Sequence, residues 1–243
     1  MSEQIKIAVD THTHTLASGH AYNTIREMAS CAAKMGLEGL AITEHAPQMP
    51  GSCHLFYFQN LRVVPRKMYG IELFLGTELN IMDENGTLDL PGDLIKALDI
   101  SIASMHSPCY GKSRGIEKNT RAYCRAMECD YVDIIGHPDD GRFEIDYEEL
   151  VESARRTGTI LELNNSSLKP DGFRINTWEN DVQMLKLCKK CGVMIVLGSD
   201  AHVDADIANT LYSSKALREA DFPERLIANT SLQKLKESLK RNR

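Results

Sequence analysis

Short apolar runs alternate with stretches of helical spacing along the whole chain, and that alternation leaves few architectures open. Runs at 5–9 (IKIAV), 39–43 (GLAIT), 73–78 (LFLGTE), 100–105 (ISIASM), 132–136 (VDIIG), 160–164 (ILELN) and 193–198 (VMIVLG) read as strands. Several are apolar almost throughout, as strands covered on both faces are. Between them lie helical segments. The clearest opens at Thr24, where Glu27 completes a capping box; it carries Ile25, Met28, Ala32 and Met35 near one face and stops at Gly36. Asp146 with Glu149 opens another, closed by Gly158. A third runs from Asn176 or Thr177 to Gly192, and the tail beyond Asn229 reads as the last. Strand-then-helix units in this order predict an α/β fold with a parallel sheet and outer helices, closed as a barrel or open. The 243 residues fit one domain spanning the whole chain, since α/β barrels commonly run ~200–250 residues. The longest irregular piece falls at about 45–60, HAPQMPGSCHLFYFQN. A lid is expected there, with Phe56, Tyr57 and Phe58 either roofing a site or packing the loop.

Charge and cysteine content narrow the function. The net charge of −6, from 28 basic and 34 acidic residues, disfavours nucleic acid as an obligatory partner. A local cluster of Lys112, Arg114, Lys118, Arg121 and Arg125 reads as a solvated face, with contact to a small anion as the alternative. Seven scattered cysteines suit reduced thiols rather than a disulfide framework. The CxxC at Cys188 and Cys191 has no second pair to complete a zinc ribbon. The opening MSEQIKIAVD lacks the marks of a signal peptide, and no apolar run approaches the ~20 residues of a membrane helix. A cytoplasmic protein without a membrane partner is expected. No Walker loop, no GxGxxG after a strand and no GxSxG elbow occurs.

The polar residues fall where the strands end. His12 and His14 follow the first run and His45 the second. Glu78 ends the third, His106 follows the fourth and His137 the fifth. Asn164 and Asn165 end the sixth, and Asp200 and His202 follow the seventh. In a parallel barrel all strand C-termini open on one face, so these residues converge although they span most of the chain. Imidazole and carboxylate bind zinc and similar ions at ~2.0–2.2 Å. His12 and His14 sit at i and i+2, on the same side of an extended chain, and so can grip one ion together. The two oxygens of Glu78 suit it to bridge two ions ~3.5–4 Å apart, the geometry of an in-line displacement at phosphorus. His54, in the long loop, falls outside the pattern.

The elements DTHTHT with His20, ITEHA, LGTELNI, SMHSP, IIGHPD, LELNNSS and LGSDAH resemble, in order and spacing, the PHP (polymerase and histidinol phosphatase) family. Within it they are most similar to the YcdX-type metal-dependent phosphatases. The likeness covers about 5–230. It implies a distorted (β/α)7 TIM-like barrel with a trinuclear metal site, usually zinc, with manganese or iron as alternatives. His12, His14, Glu78 and Asp200 are then implied to hold one ion. Glu78, His106 and His137 are implied for a second, and His20, His45 and His202 for a third. NLRVVPR makes Arg62 an implied phosphate contact. The implied reaction is hydrolysis of a phosphomonoester of a small metabolite by metal-activated hydroxide, with Glu78, Asp200 and His202 as the catalytic residues. Hydrolysis of another bond, a phosphodiester or cyclic amide, and a non-catalytic metal-binding module are the alternatives.

Overall fold

The computed structural model describes residues 4–242. Its strands are β1 (Val9–Asp10), β2 (Gly39–His45), β3 (Lys67–Met68), β4 (Ile71–Asn80), β5 (Ser101–Ser104), β6 (Ile134–Ile135), β7 (Ile160–Asn164) and β8 (Ile195–Gly198). Seven of them form a nearly closed parallel barrel in the order β1-β2-β4-β5-β6-β7-β8, and β3 adds an antiparallel rung to β4. The helices are α1 (Ile25–Lys34), α2 (Leu55–Asn60), α3 (Gly92–Ala97), α4 (Ser107–Tyr110), α5 (Ile116–Ala126), α6 (Tyr147–Thr157), α7 (Thr177–Cys191), α8 (Ser213–Glu219) and α9 (Leu232–Ser238). The α/β class and the distorted seven-stranded barrel are therefore as expected. None of these helices is long and apolar enough to cross a membrane.

The capping signals act as read. Thr24 and Glu27 form the reciprocal box of α1, Asp146 accepts from the amides of Glu148 and Glu149, and Gly158 and Gly192 close α6 and α7 in left-handed conformations. Three expectations shift. The run at 5–9 yields only Val9–Asp10 as strand, because β1 pairs with β2 at two positions and has no β8 ladder on its other side. Met35 is not core: it lies past the last turn of α1, 52% exposed, while Met28, Ala29 and Ala32 are buried. The irregular piece at 45–60 is shorter than expected, since His45 belongs to β2 and α2 starts at Leu55.

The two-residue period of the strands sorts the interior. Leu40, Ile42, Leu73, Leu75, Leu161 and Leu163 join the layer under the helices with Met28, Leu150 and Leu185. The alternate residues Ala41, Phe74, Ile102, Ile134, Ile160 and Val196 fill the barrel floor, plugged by Leu235 of α9 and by Leu239. Continuing along the same face, Ala41 leads to Thr43 and His45, Phe74 to Gly76 and Glu78, and Ile160 to Glu162 and Asn164. The barrel thus changes from apolar to polar along its own axis.

Between β1 and β8 the ladder is missing, and at the barrel floor the Asn229 side chain spans the gap. Asn229 Nδ2 donates to Val9 O (2.9 Å) and Leu197 O (2.8 Å), while its Oδ1 accepts from Leu197 N (3.1 Å). Each of these buried backbone groups otherwise lacks a partner at a cost of about 1–3 kcal/mol. We expect Asn229→Ala to lower the unfolding free energy by about 2–4 kcal/mol. Urea denaturation measures it; an unchanged midpoint would rule out this clasp.

Candidate metal centre

All nine residues expected at the site come together at the C-terminal ends of the strands, centred on Glu78. Glu78 is fully buried, and five imidazoles surround its carboxylate. Oε2 lies 3.4 Å from His12 Nε2, 3.5 Å from His14 Nε2 and 2.7 Å from His45 Nδ1. Oε1 lies 2.9 Å from His137 Nε2 and 3.2 Å from His106 Nε2. Asp200 Oδ1 stands across from it, 3.6 Å from His12 Nε2 and 3.4 Å from His14 Nε2. His20 Nε2 reaches His45 Nε2 at 3.2 Å, and the His20 and His202 rings stack with centroids 4.9 Å apart.

These residues fit a cation. His12 Nε2, His14 Nε2, His45 Nδ1 and Glu78 Oε2 are buried without a hydrogen-bond partner. The short His45–Glu78 approach is among them, in a geometry that makes no hydrogen bond. Buried orphans cost about 1–3 kcal/mol each, so their clustering calls for a common partner. The four separations that link the His12 and His14 nitrogens to the Glu78 and Asp200 oxygens are 3.4, 3.5, 3.6 and 3.4 Å. A tetrahedron with bonds of about 2.1 Å has edges of about 3.4 Å, and these four nitrogen–oxygen separations match that edge length. Three ligand groupings are compact among the described residues: His12, His14 and Asp200; His45, Glu78 and His106; and His14, His45 and His202. His45 therefore faces two ways, toward Glu78 through Nδ1 and toward His20 through Nε2. Cys188 and Cys191 belong to no such grouping.

A supporting layer aims the ligands, and sequence reasoning missed most of it. Glu162 Oε1 takes His12 Nδ1 at 2.8 Å, and its Oε2 accepts from the His137 amide and from Asn164 Nδ2. Space for this carboxylate comes from Gly198, where a Cβ would overlap Glu162 Oε1. Asn80 Oδ1 holds His106 Nδ1 at 2.8 Å. Ser18 Oγ holds His14 Nδ1 at 3.1 Å and donates to Glu44, which also binds Thr15 and Tyr57. His202 Nδ1 is held by Asp200 O, which leaves Nε2 free. His137 and Asp200 adopt left-handed φ values of 30° and 55°, which non-glycine residues rarely keep without a local demand.

The electrostatics keep both carboxylates of the cluster charged. Burial pushes the Glu78 carboxyl up, but His106, His12 and His45 outweigh it and hold it well below the usual range. Asp200 is likewise held well below its usual value: burial raises it, and His12, His14, Arg174 and His202 more than reverse that. At His12 burial opposes the charge, yet Glu162, Glu78 and Asp200 keep its pKa well above the ordinary one. Burial holds His14, His20 and His106 low, helped at His14 and His20 by His45 and His202. These three favour the neutral imidazole that binds metal.

A cavity of about 770 Å³ opens over the cluster. His20, His106, Asp200 and His202 line its floor, and Arg174, Arg142 and Phe173 stand on its walls. Arg62 does not line it. The 60–66 stretch lies toward the opposite end of the barrel: Leu73 N bonds Arg66 O, and Arg66 pairs with Asp99, just ahead of β5. The buried guanidinium of the site is instead Arg174, bonded to Ser167 Oγ (2.8 Å) and Asp200 Oδ2 (3.3 Å). It sits in an irregular loop ten residues past β7, with no periodicity to single it out. None of Phe56, Tyr57 and Phe58 lines the cavity: Tyr57 and Phe58 pack the loop, Phe56 is largely exposed, and His54 caps α2 by accepting from Phe56 N.

The model of the PHP domain family matches residues 10–169. The chain is 46% identical over 236 residues to a protein of Thermoanaerobacter sp. (strain X514) named "probable phosphatase", covering 97% of this chain and 96% of that one. It is 47% identical over 236 residues to a protein of the same name from Clostridium novyi (strain NT), with 97% and 96% covered. Among solved structures, the fold is similar to a histidinol phosphate phosphatase from Lactococcus lactis subsp. lactis Il1403, solved with zinc, L-histidinol and phosphate. The TM-score is 0.59 at 19% identity, covering 91% of this chain and 95% of that one.

The Glu162–His12 contact generates a specific expectation. Removing a group that orients a metal-binding histidine typically costs 10–100-fold in metal affinity. Glu162→Gln should weaken zinc affinity by about that factor in competition with a chromophoric chelator. Unaltered affinity would mean that the carboxylate does not position His12.

Proposed function

The chain belongs to the PHP domain family, and from that premise we propose that it is a metal-dependent phosphatase that hydrolyses a monoester of a small phosphorylated metabolite at a cluster of up to three divalent ions. The observation that carries this reading is that His12 Nε2, His14 Nε2 and Glu78 Oε2 are buried without hydrogen-bond partners, and that both nitrogens stand 3.4–3.6 Å from Glu78 Oε2 and Asp200 Oδ1. Its relatives at 46% and 47% identity, both named as phosphatases, support the reaction class.

His12, His14, Glu78 and Asp200 hold the innermost ion. His106 and His137 extend the site from Glu78 Oε1, and His20, His45 and His202 extend it toward solvent. Imidazole and carboxylate donors suit zinc, and manganese or iron share that preference. When bound, the ions supply Lewis acidity for the phosphoryl oxygens and lower the pKa of water to about 7. The chain contributes position and charge. Glu78 fixes the spacing of the inner ligands because each of its oxygens faces a different set of imidazoles. Arg174, locked by Asp200 and Ser167, presents a guanidinium to the cavity, where phosphoryl oxygens gather negative charge. His202, with Nδ1 fixed by Asp200 O, keeps Nε2 available for a ligand or a proton.

Chelation by dipicolinate should abolish hydrolysis of p-nitrophenyl phosphate, and zinc or manganese should restore it. Full turnover in a preparation shown by elemental analysis to be metal-free would sink the reading. Glu78→Ala should lose two ions, so that metal content falls from near three per chain to near one. Unchanged stoichiometry would overturn the role of Glu78 as a shared ligand.

A further inference from the structure

A second cavity, of about 400 Å³, adjoins the one over the ligand cluster. Ser107, Gly111, Lys112, Ser113, Arg142 and Phe143 line it. Ser107 and Arg142 line both spaces, so the room above the metal ligands continues past Arg142. Ser107 directly follows His106. No carboxylate lines the second cavity, whereas Asp171, Asp200 and Asp206 all line the first.

The two cations there are arranged differently from their neighbours. Arg142 is held rigidly. Its Nε and Nη2 donate to buried Asp140 at 2.9 and 2.5 Å, and the guanidinium lies over Phe173 at 4.8 Å and Phe143 at 5.8 Å. Nη1 makes no hydrogen bond among the described residues, so one edge of a fixed guanidinium is left to a ligand. Asp140 offsets the charge of Arg142, which leaves Lys112 as the net cation of this space. In the basic stretch around it, Arg114 pairs with Glu84, Lys118 lies 3.9 Å from Glu84, Arg121 Nε donates to Glu84 O, and Arg125 pairs with Glu128. Lys112 alone of these five has no hydrogen bond or ion pair among the described residues. Three of the five are therefore engaged with Glu84 and one with Glu128, and the remaining charge is the one beside the site.

We propose that this adjoining cavity is a second anion subsite, so that the preferred substrate carries, beyond the scissile phosphate, a second anionic group held by Lys112 and the free edge of Arg142. The inference rests on the phosphatase reading for the first group. The second group is a phosphate or a carboxylate; both suit an ammonium beside a guanidinium edge. An uncharged alkyl leaving group gains no ionic contact from this wall.

The test uses ligands that the protein does not hydrolyse. Zinc-loaded full-length protein is titrated calorimetrically with alkylphosphonates and with α,ω-bisphosphonates and ω-carboxyalkylphosphonates of two to six methylenes. At least one doubly charged ligand should bind about tenfold tighter than the alkylphosphonate of equal length, well above the statistical factor of about two for a symmetric ligand. Which arm gains tells phosphate from carboxylate. In Lys112→Ala that advantage should vanish while affinity for the alkylphosphonate stays unchanged, and Lys112→Arg should retain it. The proposal is overturned if no doubly charged ligand exceeds the statistical factor, or if the preference survives in both Lys112→Ala and Arg142→Ala. Lys112 is exposed, so its replacement does not endanger folding. Failure of the phosphatase reading shows separately, as absent metal-dependent hydrolysis of p-nitrophenyl phosphate.

Discussion

A carboxylate buried at the mouth of the barrel and encircled by imidazoles is the interaction on which the rest of this structure depends. Burying a carboxylate is costly unless it is paired, and Glu78 is fully buried. Its two oxygens meet five histidines brought by β2 and by the loops after β1, β5 and β6. That arrangement follows from the parallel barrel, in which distant chain segments end on one face. It requires the interior to change character along its axis. Phe74 and Glu78 lie on the same face of β4, four residues apart, one in the apolar floor and the other among the ligands.

Holding that polar end together takes a further set of buried contacts. Glu162 joins β7 to the His12 and His137 loops, and Glu44 secures the His14 loop through Ser18 and Thr15. The geometry is over-determined: a ligand ring is typically fixed at one nitrogen by a second residue, so that the other points into the cluster. The same logic reaches the seam of the barrel. The loop after β1 carries the first two ligands and the loop after β8 the last two, yet no ladder joins these strands near the floor. Asn229 supplies that junction with a side-chain amide, and the Thr13–Ala201 bridge supplies it higher up.

Much of this was legible in the chain, and what was not has physical causes. Alternation gave the parallel α/β class, and caps at Thr24, Asp146, Gly158 and Gly192 marked helix ends, because such signals are local. Placing histidines and acids after strands located the face of the site, because topology alone brings strand ends together. Glu162 escaped because one acid inside an apolar run reads as an ordinary strand residue until its partner His12, 150 positions away, is placed. Arg174 escaped because its loop has no period, and the likeness of NLRVVPR does not say which end of the barrel Arg62 reaches. Closure of the sheet was the remaining question, and an asparagine side chain does not announce that it replaces a strand.

Depth orders the ligands, and the order has consequences for how cations are held. His12 and His14 are completely buried and each is braced by a second residue. His106 and His202 have 11% and 28% of their side chains exposed, and His20 is an exposed residue. A buried, braced donor loses little freedom on binding an ion, and its ion exchanges slowly with solvent. A donor on an open loop loses more, and water competes for it. In the proposed site, an ion on His12, His14, Glu78 and Asp200 would therefore be the structural anchor of the cluster. In that proposed site His20, His45 and His202 would hold the outer ion, beside the Arg174 guanidinium that lines the same cavity.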